Sequence, residues 1–314
     1  MLRWALALVL GLAGVVLLVL IALRQPGVAT WLANAVLSRL SPLPRASARV
    51  DRVHGDWTGW IELDGLTVAR GDTLLARADT LRARYRLGQL FAGRLDVTEV
   101  AVLGVRVTAD ARDTTKGETK GRPLTFAEIL QGRFYSGLPV RVERLRLEDA
   151  AIGGHSWAPD TGFRITSLVV HASDIRLGRG FAFRLDTLAA SIFPAGHERA
   201  PAALALSCAL ASGRAELGRL RFRSAGSDVE GHGSLAIGAR DTLQQAGLSL
   251  HARPLVLGDL AGFVPGLPLE GTLVAEVDLD GTRTDRLSGK VEATLEHGRL
   301  GALEPGPVKL AATL

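Results

Sequence analysis

The sequence predicts a mainly β protein. An N-terminal transmembrane helix and a short amphipathic helix lead into one elongated, curved, mostly antiparallel and repetitive β-sheet. Three observations carry this. Residues 4–23 form an uncharged apolar run. From about residue 48 onward, segment after segment alternates apolar and polar residues. Residues 94–107 recur in pattern at 139–152, including the interruptions in their alternation.

The run from Trp4 to Leu23 stands between Arg3 and Arg24. Twenty helical residues at about 1.5 Å each reach about 30 Å, the hydrocarbon thickness of a bilayer. A signal-peptide core is shorter, about 7–15 residues, and ends at a small-x-small site. The nearest such site, Ala33-Asn-Ala35, lies well past the run. An uncleaved anchor over residues 1–25 is therefore expected. Arg3 lies on one side and Arg24 and Arg39 on the other, so charge alone leaves the orientation open. Large downstream domains translocate largely regardless of charge, which favours the bulk of the chain outside.

Pro26 and Gly27 break the run. Val28, Trp31, Leu32, Ala35, Val36 and Leu40 then fall at helical spacing, so residues 26–47 read as a helix and linker. Two roles are open for this helix. It can lie at the headgroup level with Trp31 as an interfacial anchor, or plug the end of the following sheet.

Residues 48–314 form the β-rich domain. The clearest strands are 273–280, with Leu273, Ala275, Val277 and Leu279 on one face, and 287–295, with Leu287, Val291, Ala293 and Leu295 on one face. Strict period 2 means one apolar and one wet face. In the repeat, Leu95, Val97, Val100, Val102, Val105 and Val107 match Val140, Val142, Leu145, Leu147, Ala150 and Ile152. Both copies skip one place at equivalent points, as a bulge or bend would require to keep the apolar set on one face. Further strands are expected at 60–69, 73–86, 164–176, 181–192, 202–210, 214–223, 227–237 and 246–253. Short helical pieces fall at 125–131 and 257–264, and the polar stretch 110–122 reads as a loop. The connections are mostly too short for crossover helices, so an antiparallel meander is expected. The chain stops inside a strand pattern, as a truncated sequence would.

Composition excludes several classes. Of 314 residues 47% are apolar and only 5% aromatic, so the buried surface is aliphatic. The net charge of +5 is spread along the strands, without the basic face and stacking aromatics of a nucleic-acid protein. The single cysteine, Cys208, excludes an intrachain disulfide and falls on an apolar strand face with Leu204, Leu206 and Leu210. The seven histidines show no zinc-ligand spacing, and Gly231-His-Gly-Ser234 lacks the order of a nucleophile turn. Asp51, His54, Asp56, Glu62 and Asp64 alternate with apolar residues and read as wet strand faces. No catalytic residue, metal ligand or cofactor is expected, and the chain does not read as an enzyme.

A resemblance adds to this. Val50-Asp-Arg-Val-His-Gly55, Gly59-Trp-Ile-Glu-Leu-Asp-Gly-Leu-Thr-Val68, the stretch Leu81–Val97 and Val100-Ala-Val-Leu-Gly-Val-Arg-Val107 follow in an order that resembles the amino-terminal part of the AsmA/TamB-like family. The resemblance implies an open, taco-like β-groove, anchored in the inner membrane and projecting into the periplasm. It also implies phospholipid movement toward the outer membrane or, alternatively, a scaffold for outer-membrane protein assembly and secretion with a barrel partner. A sheet with one aliphatic face needs a cover, and the sequence holds few helices to supply it. Lipid chains along Val97, Val100, Val102, Val142, Leu145 and Leu147, then Leu204 and Leu206, then Leu273, Val277, Leu279, Val291 and Leu295 would serve. Trp4, Leu23 and Trp31 would mark the membrane contact. Membrane phospholipid is the expected partner, and nucleic acid is not.

Overall fold

A computed structural model describes residues 25–39, 47–70, 73–109, 138–155, 162–178, 181–194, 201–211, 213–237, 243–261, 269–282, 287–300 and 307–313. The expected anchor with Trp4 and Leu23, the polar stretch 110–122 and the helical piece 125–131 lie outside these residues. Among the described residues, no helix is long and apolar enough to cross a membrane.

The first element among the described residues is α1 (Pro26–Arg39). The strands follow: β1 Ser47–Arg49, β2 Arg52–Gly55, β3 Trp60–Arg70, β4 Thr73–Arg86, β5 Leu95–Leu103, β6 Arg106–Ala109, β7 Val140–His155 and β8 Gly162–Leu177. Then come β9 Ala182–Pro194, β10 Ala202–Ala211, β11 Arg214–Arg223, β12 Asp228–Ile237, β13 Leu243–Val256, β14 Leu269–Gly281, β15 Leu287–Leu300 and β16 Val308–Thr313. A 3₁₀ turn, Leu87–Ala92, joins β4 to β5, and the short helix α2 (Leu257–Ala261) follows β13. All sixteen strands belong to one sheet, ordered β1-β3-β4-β5-β7 and then consecutively to β16. β2 pairs with β3, and β6 with β4 and β7.

The sheet is mixed, mostly antiparallel but not the continuous antiparallel meander that the short connections suggested. β7 runs parallel to both β5 and β6, while every other neighbouring pair among the described strands is antiparallel. Residues 110–139 supply the dozen or more residues that a parallel connection needs. The exception falls on the sequence repeat. Leu95 faces Val140, Val97 faces Val142, Val100 faces Leu145, Val102 faces Leu147 and Val107 faces Ile152, always 45 residues apart. The two copies thus lie side by side in register, and matching apolar residues continue the same face.

The skipped alternation has a backbone cause. Gly104 and Asp149, equivalent in the two copies, both take left-handed backbone (φ +64° and +51°). Gly65 on β3 (φ +65°) and Ser167 on β8 (φ +52°) do the same nearby in the sheet. A left-handed residue in a strand shifts the alternation by one place, so the apolar set stays on its face past the bend. Glycine is required at two of these positions. A Cβ on Gly65 would overlap the Asp51 carboxylate, and one on Gly104 that of Asp79.

The buried core is small and one-sided. Three clusters sit along the apolar face: Ala29 with Val50 and Val53, Ala150 with Leu168 and Ala190, and Val229 with Ala252 and Ala275. The largest fully buried side chains are Val50 and Val53, and both lie under α1. The helix is pinned there by polar side chains. Asn34 donates from its amide to the Val50 carbonyl (3.0 Å) and accepts from the Val50 N–H (2.8 Å), and Thr30 Oγ1 accepts from the Val53 N–H (3.0 Å). These bonds satisfy backbone groups that a sheet end leaves without partners. Of the two roles open to this helix, plugging the first strands is the packing observed. Trp31 points away from that contact and is 70% exposed.

Candidate functional site

The strongest candidate for function is the apolar face itself. Partners followed from strand to strand give one unbroken row: Leu63, Leu81, Val102, Leu147, Val170, Leu188, Leu206, Leu220, Gly231, Leu250, Val277, Val291, Ala312. A second row beside it runs Ile61, Ala83, Val100, Leu145, Ala172, Leu185, Cys208, Leu217, Gly233, Leu248, Leu279, Gly289. No charged residue interrupts either row.

All thirteen residues singled out in the strands lie on this face. Val102, Leu147, Leu206, Val277 and Val291 are in the first row, and Val100, Leu145 and Leu279 in the second. Val97 pairs with Val142, and Leu273 with Leu295; Leu204 pairs with Phe222. These residues are spread across the sheet and do not converge on one point.

Between β9 and β14 the face dips into a trough of about 590 Å³. The cause is local. Gly233, which lines the trough, stands in the second row between Leu217 and Leu248 with no side chain of its own, and Gly231 holds the equivalent place in the first row, while His232 and Ser234 take the wet face. Phe183, Leu210, Leu217, Leu235, Leu248 and Leu279 form the walls around the missing side chains. The volume is within the roughly 300–1,000 Å³ of ligand pockets, and an apolar lining is what such pockets use. In the sequence Gly231-His-Gly-Ser234 lies within the expected strand 227–237 and lacks the order of a nucleophile turn. The useful signal was two glycines on alternate residues, both on the apolar face. Phe183, Leu210, Leu217, Leu235 and Leu248 were not among the residues expected from the sequence, although the same alternation places them on this face.

Cys208 lies in the second row and touches the trough. Burial pushes its thiol above the ordinary value, so it stays protonated and behaves as a small hydrophobe.

The opposite face is charged and wet. Arg82 pairs with Glu62, Arg86 with Glu143 (3.1 Å), Arg221 with Glu230 (3.0 Å) and Lys290 with Glu292 (2.8 Å); Arg84 and Arg146 share Glu99. Exposed pairs of this kind contribute about 0.2–1 kcal/mol each. Their larger effect is to oppose burial of that face, which leaves the aliphatic side as the one to be covered. On the same wet face His251, Glu276 and Asp278 bring ligand atoms within 4.8 Å of one another. His251 Nε2 already meets Ser249 Oγ at 3.0 Å. The Lys290 ammonium, its pKa raised first by Glu292 and then by Glu276 and Asp278, shares those carboxylates.

The acidic residues near the first strands have structural partners. Asp56 Oδ1 accepts from the backbone N–H groups of Thr58, Gly59 and Trp60 at 2.8–3.0 Å, which holds its carboxyl below the ordinary value. His54 pairs with Asp64 at 3.2 Å. A further polar cluster secures α2: Ser224 and the buried Ser227 both donate to Asp259, and Ser227 Oγ accepts from the Val256 N–H at 2.8 Å.

Comparison of the chain with family models, curated proteins and solved structures found no match.

Proposed function

We propose that this protein is a membrane-anchored lipid conduit of the AsmA/TamB-like kind, whose β-sheet carries phospholipid acyl chains along its apolar face between inner and outer membrane. The observation that carries the reading is the pair of uninterrupted apolar rows, over which, among the described residues, α1 packs at Ile61 and Leu63. Each CH₂ taken out of water is worth about 0.8 kcal/mol. A two-chain lipid holds tens of such groups, so its passage through water is prohibitive without a continuous apolar track. The low aromatic content suits the role, because aliphatic side chains offer a uniform surface with no deep single well. The apolar run at 4–23 would hold one end of the track at a bilayer.

The test is the cargo. The full chain, extracted from membranes in mild detergent, should carry phospholipid identifiable by mass spectrometry. Lipid-free protein with its β-structure intact would overturn the reading. A second reading is a scaffold for outer-membrane protein assembly, in which a strand such as β16, exposed at all six positions, would pair with a strand of the client protein. Crosslinks from β16 to a barrel protein, with no lipid bound, would select it.

A further inference from the structure

One end of the sheet carries an apolar knob that the conduit does not use. The 3₁₀ turn Leu87–Ala92 has the sequence Leu-Gly-Gln-Leu-Phe-Ala and buries none of its residues. Phe91 is 96% exposed, and Leu90 beside it is also exposed. One exposed aromatic would mean little, but Phe91 adds nothing to the sheet's own core and shares its end of the sheet with other exposed apolar side chains.

The register shows what shares that end. Trp60 pairs with Arg84, and the Tyr85 N–H donates to the Gly59 carbonyl, so the start of β3 lies beside the turn. The Leu95 N–H donates to the Pro139 carbonyl, which brings exposed Leu138 to the same end. α1 arrives there as well. Thr30 meets Val53 while Asn34 meets Val50, so the helix N-terminus points toward Gly55 and the turn before Trp60. Gln25, whose carbonyl accepts from the Ala29 N–H, is therefore at this end, and the apolar run 4–23 joins the chain directly ahead of it. Trp31 and Val28, both exposed, lie in the first turns of the same helix.

We propose that this end of the sheet is a second membrane contact, in which Phe91 and Leu90 insert into the bilayer interface on the same end of the sheet as Gln25, the residue to which the N-terminal run connects. The occupant is a bilayer surface. A convex tip of two side chains offers a protein partner little area, whereas an interface needs only that the side chains reach about 5–10 Å below the headgroups. Trp31 and Trp60 match the aromatic residues that favour that depth. The contact is apolar in character. Arg86 and Arg94, which flank the turn, are already paired with Glu143 and Asp96, so the knob gains little from anionic lipid. It would seat the mouth of the sheet against the membrane and limit tilting about the anchor. The inference needs the anchor but not the lipid cargo, so it stands or falls separately from the conduit.

The experiment places the photocrosslinker p-benzoylphenylalanine at position 91 of the full chain, reconstituted in phosphatidylcholine vesicles. Position 290, on the wet face and more than half exposed, is the control. After irradiation, mass spectrometry should find phosphatidylcholine joined to the 87–94 region and none at position 290, unchanged at high salt. The side chain is fully exposed, so the replacement leaves folding undisturbed. Lipid adducts at position 91 no more frequent than at 290 would overturn the proposal, as would a protein adduct in their place. Adducts that appear only with added phosphatidylglycerol and vanish in salt would overturn the apolar contact in favour of an electrostatic one.

Discussion

Replacing Leu248 by aspartate tests the lipid track at its trough. Leu248 stands in the trough between Gly233 and Leu279 and is 39% exposed. Full burial of a leucine is worth about 1.5–3 kcal/mol, so covering its exposed part with an acyl chain accounts for about 1 kcal/mol. A carboxylate in the same place must lose water to hydrocarbon, which costs about 2.5–3.5 kcal/mol on the membrane-insertion scale. Together the loss is about 3–5 kcal/mol, or roughly two to three orders of magnitude in lipid affinity. Without lipid the new charge remains in water, so the fold should lose little. Val274→Asp is the matched control: it is 45% exposed and pairs with Thr294 on the wet face. The assay is phospholipid per protein after purification, with thermal unfolding in parallel. The Leu248 variant should come out nearly lipid-free and folded, and the Val274 variant loaded. Equal loading of Leu248→Asp and unaltered protein would refute the reasoning.

The remaining predictions concern the scaffold. Gly104→Ala should destabilise the sheet by about 1–3 kcal/mol, from left-handed backbone and overlap with Asp79, read as a lower denaturant midpoint. Adding Asp79→Ala should recover the steric part only. Asn34→Ala leaves the Val50 N–H and carbonyl without their amide partner, at roughly 1–3 kcal/mol for each buried group, and should raise hydrogen exchange at residues 50–53 before the rest of the sheet. Asp56 is more acidic folded than unfolded, chiefly through the Gly59 and Trp60 N–H groups. Its contribution is therefore complete above the unfolded value near 3.8 and is lost as pH falls through the lower folded value. Asp56→Asn should flatten the acid response of hydrogen exchange at residues 58–60.

The alternation in each segment was sufficient to assign the β class and to state which side chains share a face. A side chain's face follows from its parity along the strand, and that is a local property. The skips near Gly104 and Asp149 were also legible, because a displaced parity leaves its mark in the sequence whatever the neighbouring strand is. Partners across the sheet left no such mark. Nothing along the chain states that residues 95–107 lie parallel to 140–152, since pairing depends on where a long connection returns. The trough has the same origin: Gly233 opens a hollow only because Leu217 and Leu248 stand on either side of it, contributed by two other strands. The clamp of Asn34 and Thr30 on Val50 and Val53 was decided by tertiary structure too, because an amide chooses among distant backbone groups only after they have been brought within hydrogen-bond reach.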